Sequence, residues 1–269
     1  MDLKEYFLSR KIEYFATLSY SDCRVTNPAL IEREGFIPKS VIIYLLPYYV
    51  GETENISRYA AALDYHIAIR NVADGLIERL SKEYPGASFK GYGDHSPIDE
   101  IHAGIAAGLG ILGDNGLLIN EKYGSYIFVG DVLTDIEPQL LGAVEPRGLA
   151  TCIHCGECKR LCPTGILRGE EKSCLSAITQ RKGELFNFEV DLMRKVDTVW
   201  GCDVCQEHCP YNRNPVTTPI EFFHKELILR LDRDTVDAMD KEALRKRAFG
   251  WRGRRVLERN LDCVYAKNK

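Results

Sequence analysis

The placement of cysteine constrains this chain more than any other feature of its sequence. Eight of its ten cysteines lie between residues 152 and 209. The first four follow the pattern Cys-x2-Cys-x2-Cys-x3-Cys-Pro from Cys152 to Pro163, and a shorter version, Cys-x2-Cys-x3-Cys-Pro, runs from Cys202 to Pro210 with Cys174 between them. Structural disulfides are rare in reducing compartments. A metal-binding role therefore explains these cysteines better than disulfide bonds do.

The first pattern is the spacing with which bacterial ferredoxins bind 4Fe-4S clusters, where the fourth cysteine ligates the other cluster. Eight cysteines at four per cubane make two clusters, if Cys174 supplies the ligand that the second pattern lacks. Zinc is the alternative, but zinc sites favour two cysteine pairs a dozen or more residues apart. Outside the patterns, Cys23 and Cys263 are predicted to be ordinary buried thiols. Crossed ligation predicts Cys152, Cys155, Cys158 and Cys209 for cluster one, and Cys162, Cys174, Cys202 and Cys205 for cluster two.

Length and charge limit the remaining possibilities. The 269 residues allow one large domain or two modest ones, and 45% hydrophobic with 28% charged residues are globular values. The formal net charge of -4 offers no general attraction to nucleic acid or to an anionic membrane. The longest apolar run, Val41 to Val50, is about half the ~20 residues of a bilayer-spanning helix. Charged residues also occupy the place of an export signal's apolar segment. We therefore predict a cytoplasmic protein without a membrane partner.

Local patterns predict an α+β fold. The β-branched run Val41–Leu46 predicts a buried strand. Apolar residues at helical spacing predict a helix over Ile69–Leu80, and Ser96 followed by Pro97 predicts the start of the next helix. We predict a mixed-sheet α+β domain over residues 1–148, a ferredoxin-like double-cluster domain over 149–215 and a basic helical extension over 216–269.

Two further segments are distinctive. Gly93–Glu100 reads Gly-Asp-His-Ser-Pro-Ile-Asp-Glu, and Ala107–Asn115 is rich in glycine and is followed by Gly124-Ser125. These segments resemble the cobalamin-dependent epoxyqueuosine reductases, and the resemblance runs with gaps from about residue 40 to 215. It also includes Val41–Pro47, Arg58-Tyr59-Ala60, Asp64-Tyr65-His66 and Gly201-Cys-Asp-Val-Cys-Gln-Glu-His-Cys-Pro-Tyr-Asn212.

The resemblance implies an activity and a cofactor. Members of that family reduce the epoxide of epoxyqueuosine, at the wobble position of tRNA, to queuosine. They use a corrinoid beside two 4Fe-4S clusters, and reductive dehalogenases are their relatives. The resemblance therefore implies that the N-terminal α+β domain binds a corrinoid. The family uses cobalamin without a protein histidine ligand, so the implied role of His66 is in the pocket. The implied cobalamin contacts are Ser57, Tyr65, His66, Asp94, Gly110, Gly113, Asn115, Leu118 and Ser125.

The resemblance further implies that Asp94 is the proton donor. Without it, Asp94 would be interpreted as a carboxylate at a helix start. A helix start favours the ionised acid, whereas burial between corrin and substrate favours the protonated one. The role of donor at neutral pH therefore predicts that burial dominates.

Some features depart from the family pattern. Ile111 and Asp114 stand where the family usually has Trp and Lys. We expect the chain to be a short form without the family's C-terminal helical-repeat domain. From Lys241 to Asn260, eight basic residues accompany two acidic ones, with Phe249 and Trp251 among them. Such a stretch, ending at Arg259, predicts a surface for tRNA, with a solvated helix or an acidic redox partner as alternatives. We expect a monomer that receives electrons from a reduced ferredoxin or flavodoxin-type donor.

Two other functions are compatible with the same residues. A double-cluster electron carrier would keep the cysteines and use the N-terminal domain, without a corrinoid, as a docking module. A corrinoid reductase or dehalogenase would keep Asp94 and act on a small molecule. Reduction of epoxyqueuosine, or a related reductive C–O cleavage, is the main prediction because the Asp94 segment and the glycine-rich segment are both present.

Overall fold

The computed structural model describes residues 2–170 and 172–265. The chain forms two compact units, one of residues 1–47 and 66–154 and the other of residues 48–65 and 155–269. The polypeptide thus leaves the first unit after Pro47 and returns to it at His66. The predicted three-part division stays a prediction. Residues 266–269 of its C-terminal extension, like residue 1, lie outside the described residues.

A four-stranded sheet is the centre of the first unit. Its strand order is β1-β2-β6-β3, and all three pairings are antiparallel. A separate two-stranded hairpin joins β4 and β5. The α+β prediction is confirmed. The strands are β1 (Phe15–Ser19), β2 (Ser40–Pro47), β3 (Phe89–Tyr92), β4 (Ile111–Leu112), β5 (Leu118–Ile119) and β6 (Ile127–Thr134), and the helices are α1 (Leu3–Leu8), α2 (Pro28–Glu34), α3 (Tyr65–Glu83) and α4 (Glu100–Ala106).

Strand β2 is buried along its whole length because both faces of the sheet are covered. On one face Ile43 belongs to a core cluster with Ala103 of α4. On the other, the Tyr44 ring lies 5.4 Å from the Phe7 ring of α1, and its hydroxyl donates a hydrogen bond of 3.1 Å to the Ile69 carbonyl of α3. A strand buried on both faces carries consecutive apolar residues. The sequence pattern therefore predicted this strand correctly.

Helix α4 begins later than the sequence predicts. Its N-cap is Asp99, whose carboxylate accepts a hydrogen bond of 3.0 Å from the His102 N–H. Ser96 and Pro97 precede the helix because the Pro97 carbonyl accepts a hydrogen bond from the Thr26 N–H on another part of the chain. The predicted start at Ser96 is therefore wrong, since a long-range pairing outweighs a local capping signal.

Residues 48–65 form backbone and side-chain contacts with the rest of the second unit. Ile56 forms a parallel bridge with Trp200, which is fully buried, and the Asn55 side chain exchanges two hydrogen bonds with the Leu231 backbone. No helix in the described ranges is both long and apolar enough to cross a membrane. The helices are α5 (Glu157–Leu161), α6 (Leu175–Gln180), α7 (Asn187–Val196), α8 (Val204–Glu207), α9 (Arg233–Ala238), α10 (Lys241–Arg245) and α11 (Arg254–Tyr265).

Candidate functional site

The cysteines of the second unit stand mostly at the ends of short helices. Helix α5 follows Gly156, whose φ of 80° is in the left-handed region that glycine tolerates, and it contains the buried Cys158. Cys162 is the C-cap of α5 and Cys174 is the N-cap of α6. Cys209 precedes a single 3₁₀ turn. The chain therefore changes direction repeatedly, and short segments between the turns carry the cysteine thiols.

Five of these cysteines lie close to one another. The charges of Cys174 and Cys162 act on Cys202, and those of Cys202, Cys174 and Cys158 act on Cys205. Burial, the largest cause, raises the pKa of Cys202 and of Cys205 to about 12. Thiols buried in this way become thiolates only where a cation takes up the charge. Four cysteine sulfurs are the donor set of a 4Fe-4S cluster, so these five residues include enough ligands for one.

Cys152 belongs to the first unit and has polar neighbours of its own. The His154 backbone N–H donates to Cys152 Sγ at 3.4 Å, and His154 Nδ1 lies 2.7 Å from Asp114 Oδ1. Ligand atoms of all three residues lie within 4.8 Å of one another. Cys152 therefore lies within reach of both a backbone N–H and a histidine–aspartate pair of the first unit.

Ser57 anchors the segment that carries two cysteines of the second unit. Its hydroxyl donates to Asp203 Oδ1, and the Arg58 backbone N–H donates to Asp203 Oδ2 at 2.7 Å. Asp203 lies between Cys202 and Cys205 in the chain. Ser57 was predicted as a cobalamin contact, and in this structure its hydroxyl donates a hydrogen bond to the segment that carries Cys202 and Cys205.

Asp94 lies in an exposed turn of the first unit, just after β3. Its φ of 68° is in the left-handed region, which costs a non-glycine residue about 1 kcal/mol. Its backbone N–H donates to Glu100 Oε1 at 3.1 Å. Its side chain is 58% exposed, and its Oδ2 lies 3.7 Å from His66 Nε2. The turn therefore presents the Asp94 carboxylate beside His66, which was also predicted as a site residue.

The glycine-rich segment is tightly packed and contains an unsatisfied donor. A Cβ at Gly110 would lie 2.6 Å from the Ile119 carbonyl oxygen, and one at Gly113 would lie 2.3 Å from Asn115 Oδ1. Asn115 Oδ1 accepts from the Leu117 N–H at 3.3 Å. Asn115 Nδ2 is buried without a hydrogen-bond partner among the described residues. Burying an unpaired amide donor is unfavourable, so this atom fits a ligand that carries an acceptor.

The other predicted contacts are buried. Leu118 packs in the core cluster of the sheet, and Ser125 is 4% exposed. Tyr65 is buried and meets the Tyr59 ring edge-on at 6.3 Å. Cys23 and Cys263, which were predicted to be buried thiols, are partly buried. Burial raises the pKa of the Cys23 thiol to about 12.

Known families match both units of the chain. A family model described as a 4Fe-4S double cluster binding domain matches residues 151–212, and one described as epoxyqueuosine reductase QueG, DUF1730 matches residues 36–95. Curated epoxyqueuosine reductases from Listeria monocytogenes and Lactococcus garvieae are 31% and 30% identical over 231 and 224 residues, each match covering 79% of this chain. The chain is therefore similar to epoxyqueuosine reductases over most of its length. It spans 57% and 61% of the lengths of these two relatives.

Solved members of the epoxyqueuosine reductase family share the fold. The structure from Streptococcus thermophilus has a TM-score of 0.75 at 23% identity, covering 98% of this chain and 81% of that chain. A structure solved with an epoxyqueuosine-modified tRNA stem loop has a TM-score of 0.77 at 20% identity, covering 97% and 80%. These comparisons confirm the predicted α+β fold, and the family model confirms the double-cluster domain.

Two acidic residues gain importance only in the structure. Glu100 was named in the sequence analysis only as the last residue of the Gly93–Glu100 segment, and Asp131 was not singled out. Asp131 is fully buried on β6, where it is flanked by Gly130 and Val132. A single charged residue inside an apolar strand was the available signal, because a carboxylate in such a position requires a partner.

Proposed function

We propose that the chain is a reductase that removes the epoxide oxygen of epoxyqueuosine in tRNA, with two 4Fe-4S clusters and cobalamin as cofactors. One observation carries the proposal. The epoxyqueuosine reductase model ends at residue 95, so its match includes the Asp94 turn, and the double-cluster domain follows in the same chain. Thiolate ligands need a reducing compartment, and we propose that the reaction takes place in the cytoplasm.

The eight cysteines divide between two clusters in this proposal. Cys162, Cys174, Cys202 and Cys205 hold cluster two in this division, as crossed ligation predicts. Cluster one takes Cys152, Cys155, Cys158 and Cys209, as crossed ligation predicts. Electrons enter through the clusters from a reduced ferredoxin or flavodoxin-type donor, whose identity stays a prediction.

Asn115 and Asp94 are the residues of the first unit that fit a bound corrinoid and its substrate. When bound, cobalamin supplies the reducing centre at which a carbon–oxygen bond is cleaved. Asn115 Nδ2 offers a buried hydrogen-bond donor to that group, and the close packing at Gly110 fixes the segment that carries it. Loss of an epoxide oxygen as water consumes two electrons and two protons. Asp94 donates one proton to the departing oxygen, because its exposed carboxyl is the acid that the turn beside His66 offers to a bound substrate.

Binding of tRNA is proposed for part of the basic stretch. Arg254 and Arg259 are engaged inside the second unit, where their guanidinium groups donate to backbone carbonyls. Trp251 is 60% exposed, and the Arg252 guanidinium lies 3.6 Å from the centre of its ring. A hollow of about 460 Å³ beside them is also lined by Arg255. Exposed guanidinium and indole groups bind phosphates and stack on bases, respectively.

Anaerobic reconstitution with iron, sulfide and cobalamin tests the cofactors before the substrate. We expect about eight iron and about one cobalt per chain after gel filtration, with an EPR signal of protein-bound cobalamin. The loaded protein should then convert epoxyqueuosine to queuosine in tRNA, as measured by mass spectrometry of the digested nucleosides. The same iron content without retained cobalt would overturn the reductase proposal and favour the electron carrier.

A further inference from the structure

Asp131 is a carboxylate in an unusual position, at the centre of the main sheet. It lies on β6 between Tyr92 of β3 and Ile43 of β2, and its residue is 0% exposed. Ser96 and Glu100 are the polar side chains beside it. Within the described part of the chain, neither Asp131 oxygen has a well-aligned hydrogen-bond partner, although the Ser96 hydroxyl lies beside it and acts to lower its pKa. A buried carboxylate with so little compensation is strongly unfavourable.

Glu100 connects this buried carboxyl with the Asp94 turn. It is the first residue of α4, its side chain adjoins Asp131, and its Oε1 accepts the hydrogen bond from the Asp94 N–H. A hydrogen bond between the two carboxyl groups requires that one of them carry a proton. With such a proton, Glu100 can satisfy Asp131 on one side and hold Asp94 on the other.

Among the described residues, the charges that act most on Glu100 are all negative. Asp94 and Asp99 add negative charge near Glu100. The charge of Asp131 acts on the pKa of Cys23, which follows β1, and on that of Tyr92 in β3. The charges of both carboxyl groups act on the pKa of Tyr44 in β2. These facing groups are acids or are neutral at neutral pH. Burial raises the pKa of both Glu100 and Asp131, which agrees with the geometry.

We propose that Glu100 and Asp131 share one proton at neutral pH and that this pair is the positioning element for Asp94. The proton is a property of the pair and is assigned to neither carboxyl alone. The role for Asp94 rests on the proposed reductase function, whereas the shared proton does not. At alkaline pH hydroxide removes the proton as water and leaves two adjacent carboxylates. Their repulsion moves Glu100 away and releases the left-handed Asp94 turn, so turnover falls.

Three variants separate positioning from a merely structural role. In Glu100→Gln the amide can donate to Asp131 and still accept from the Asp94 N–H, and in Asp131→Asn the amide can donate to an ionised Glu100. Both should lose the alkaline fall in turnover, because neither needs the shared proton. Glu100→Ala should lower turnover by about tenfold to a hundredfold at every pH, because misplaced catalytic groups lose that much. Glu100→Gln should restore most of that loss.

Infrared spectroscopy of the full chain, loaded with its clusters only, tests the shared proton without substrate or cobalamin. We expect the carbonyl band of one protonated carboxyl at neutral pH, disappearing by about pH 10 and absent from Glu100→Gln and Asp131→Asn. Glu78→Gln, at an exposed pair with Lys82, is the matched control and should keep the band.

The outcomes are distinguishable. A wild-type protein without the band, or a band that survives in both variants, overturns the shared proton. The expected band with an unmoved pH profile overturns the positioning of Asp94. If the expected band is present but the loaded chain has no reductase activity, the shared proton is supported and the proposed function is overturned. The link between the pair and turnover is then overturned with it.

Discussion

Arg58 and Asp203 form an ion pair from which water is almost excluded. Arg58 Nη1 lies 3.4 Å from Asp203 Oδ2, and the two side chains are 6% and 4% exposed. The Arg58 backbone N–H and the Ser57 hydroxyl also donate to the same carboxylate. This carboxylate therefore ties residues 57–58 to the segment that carries Cys202 and Cys205.

Removing one partner of this pair should be strongly destabilising. Asp203→Ala leaves the Arg58 charge without this buried partner, and breaking such a pair costs about 3–5 kcal/mol of unfolding free energy. Thermal melting of the anaerobic holoprotein should show this as a fall of roughly 2–4 °C per kcal/mol. Glu242→Ala removes an exposed partner of Lys246 and is the matched control, with an expected loss below about 0.5 kcal/mol. Equal melting of both variants would contradict this prediction.

Asp94→Asn should separate cofactor binding from turnover. Asparagine preserves the size of the side chain and can remain in a left-handed turn, but it cannot donate the proton. We expect unchanged iron and cobalt contents, with turnover of epoxyqueuosine-containing tRNA lowered by about 10²–10⁴-fold. Asp22→Asn replaces another exposed aspartate and should keep full activity. Full activity in Asp94→Asn would exclude Asp94 as the acid.

The assignment of Cys174 to cluster two predicts a selective loss of iron. Cys174→Ala should disrupt that cluster and leave most of the other, lowering the iron content from about eight to about four per chain. Cys263→Ala removes a cysteine outside both motifs and is the control, with an expected iron content of about eight. Iron analysis and EPR of the reduced protein provide the readout. An intact pair of clusters in Cys174→Ala would require another ligand set.

The carboxyl pair makes stability depend on pH with a definite sign. Burial raises the pKa of Glu100 to about 9, whereas an unfolded glutamate titrates near 4.3. Between these pH values the folded chain holds a proton that the unfolded chain has lost, so this contribution to stability falls as pH rises. The slope is at most about 1.4 kcal/mol per pH unit for each proton. The melting temperature of Glu100→Gln, measured from about pH 5 to 9, should therefore rise relative to wild type as pH increases. A constant difference would contradict the raised pKa.

The basic hollow predicts a salt-dependent loss of RNA affinity. Each phosphate contact removed should reduce the slope of log K against log salt by roughly 0.7–0.9. The double variant Arg252→Ala, Arg255→Ala should thus lower the slope for a tRNA anticodon stem loop by about 1.4–1.8. Lys4→Ala, Lys82→Ala removes the same charge from the first unit and should leave the slope within error. Fluorescence anisotropy across a salt series measures both, and equal slopes would exclude this surface.

Local sequence patterns predicted the strands and helices whose burial pattern is regular along the whole element. Strand β2 carried consecutive apolar residues because both sheet faces are covered, and helix α3 showed a continuous apolar spacing. The start of α4 was misjudged at Ser96, since the competing hydrogen bond to Pro97 comes from Thr26, far along the chain. Ser57 was expected in a cofactor pocket, but its partner Asp203 is 146 residues away. Pairings across such distances leave no periodic signal in either segment.

The sequence by itself determined the double-cluster domain, because the ligands of a cubane cluster follow short cysteine spacings that are visible in the chain itself. It also carried the resemblance to epoxyqueuosine reductases, through the Asp94 segment and the glycine-rich segment. Only the tertiary structure decided that Asp131 meets Glu100 and that Glu100 holds Asp94. The physical reason is that β6 brings a buried carboxylate against the first turn of α4, and whether a carboxyl keeps its proton depends on the groups around it in space.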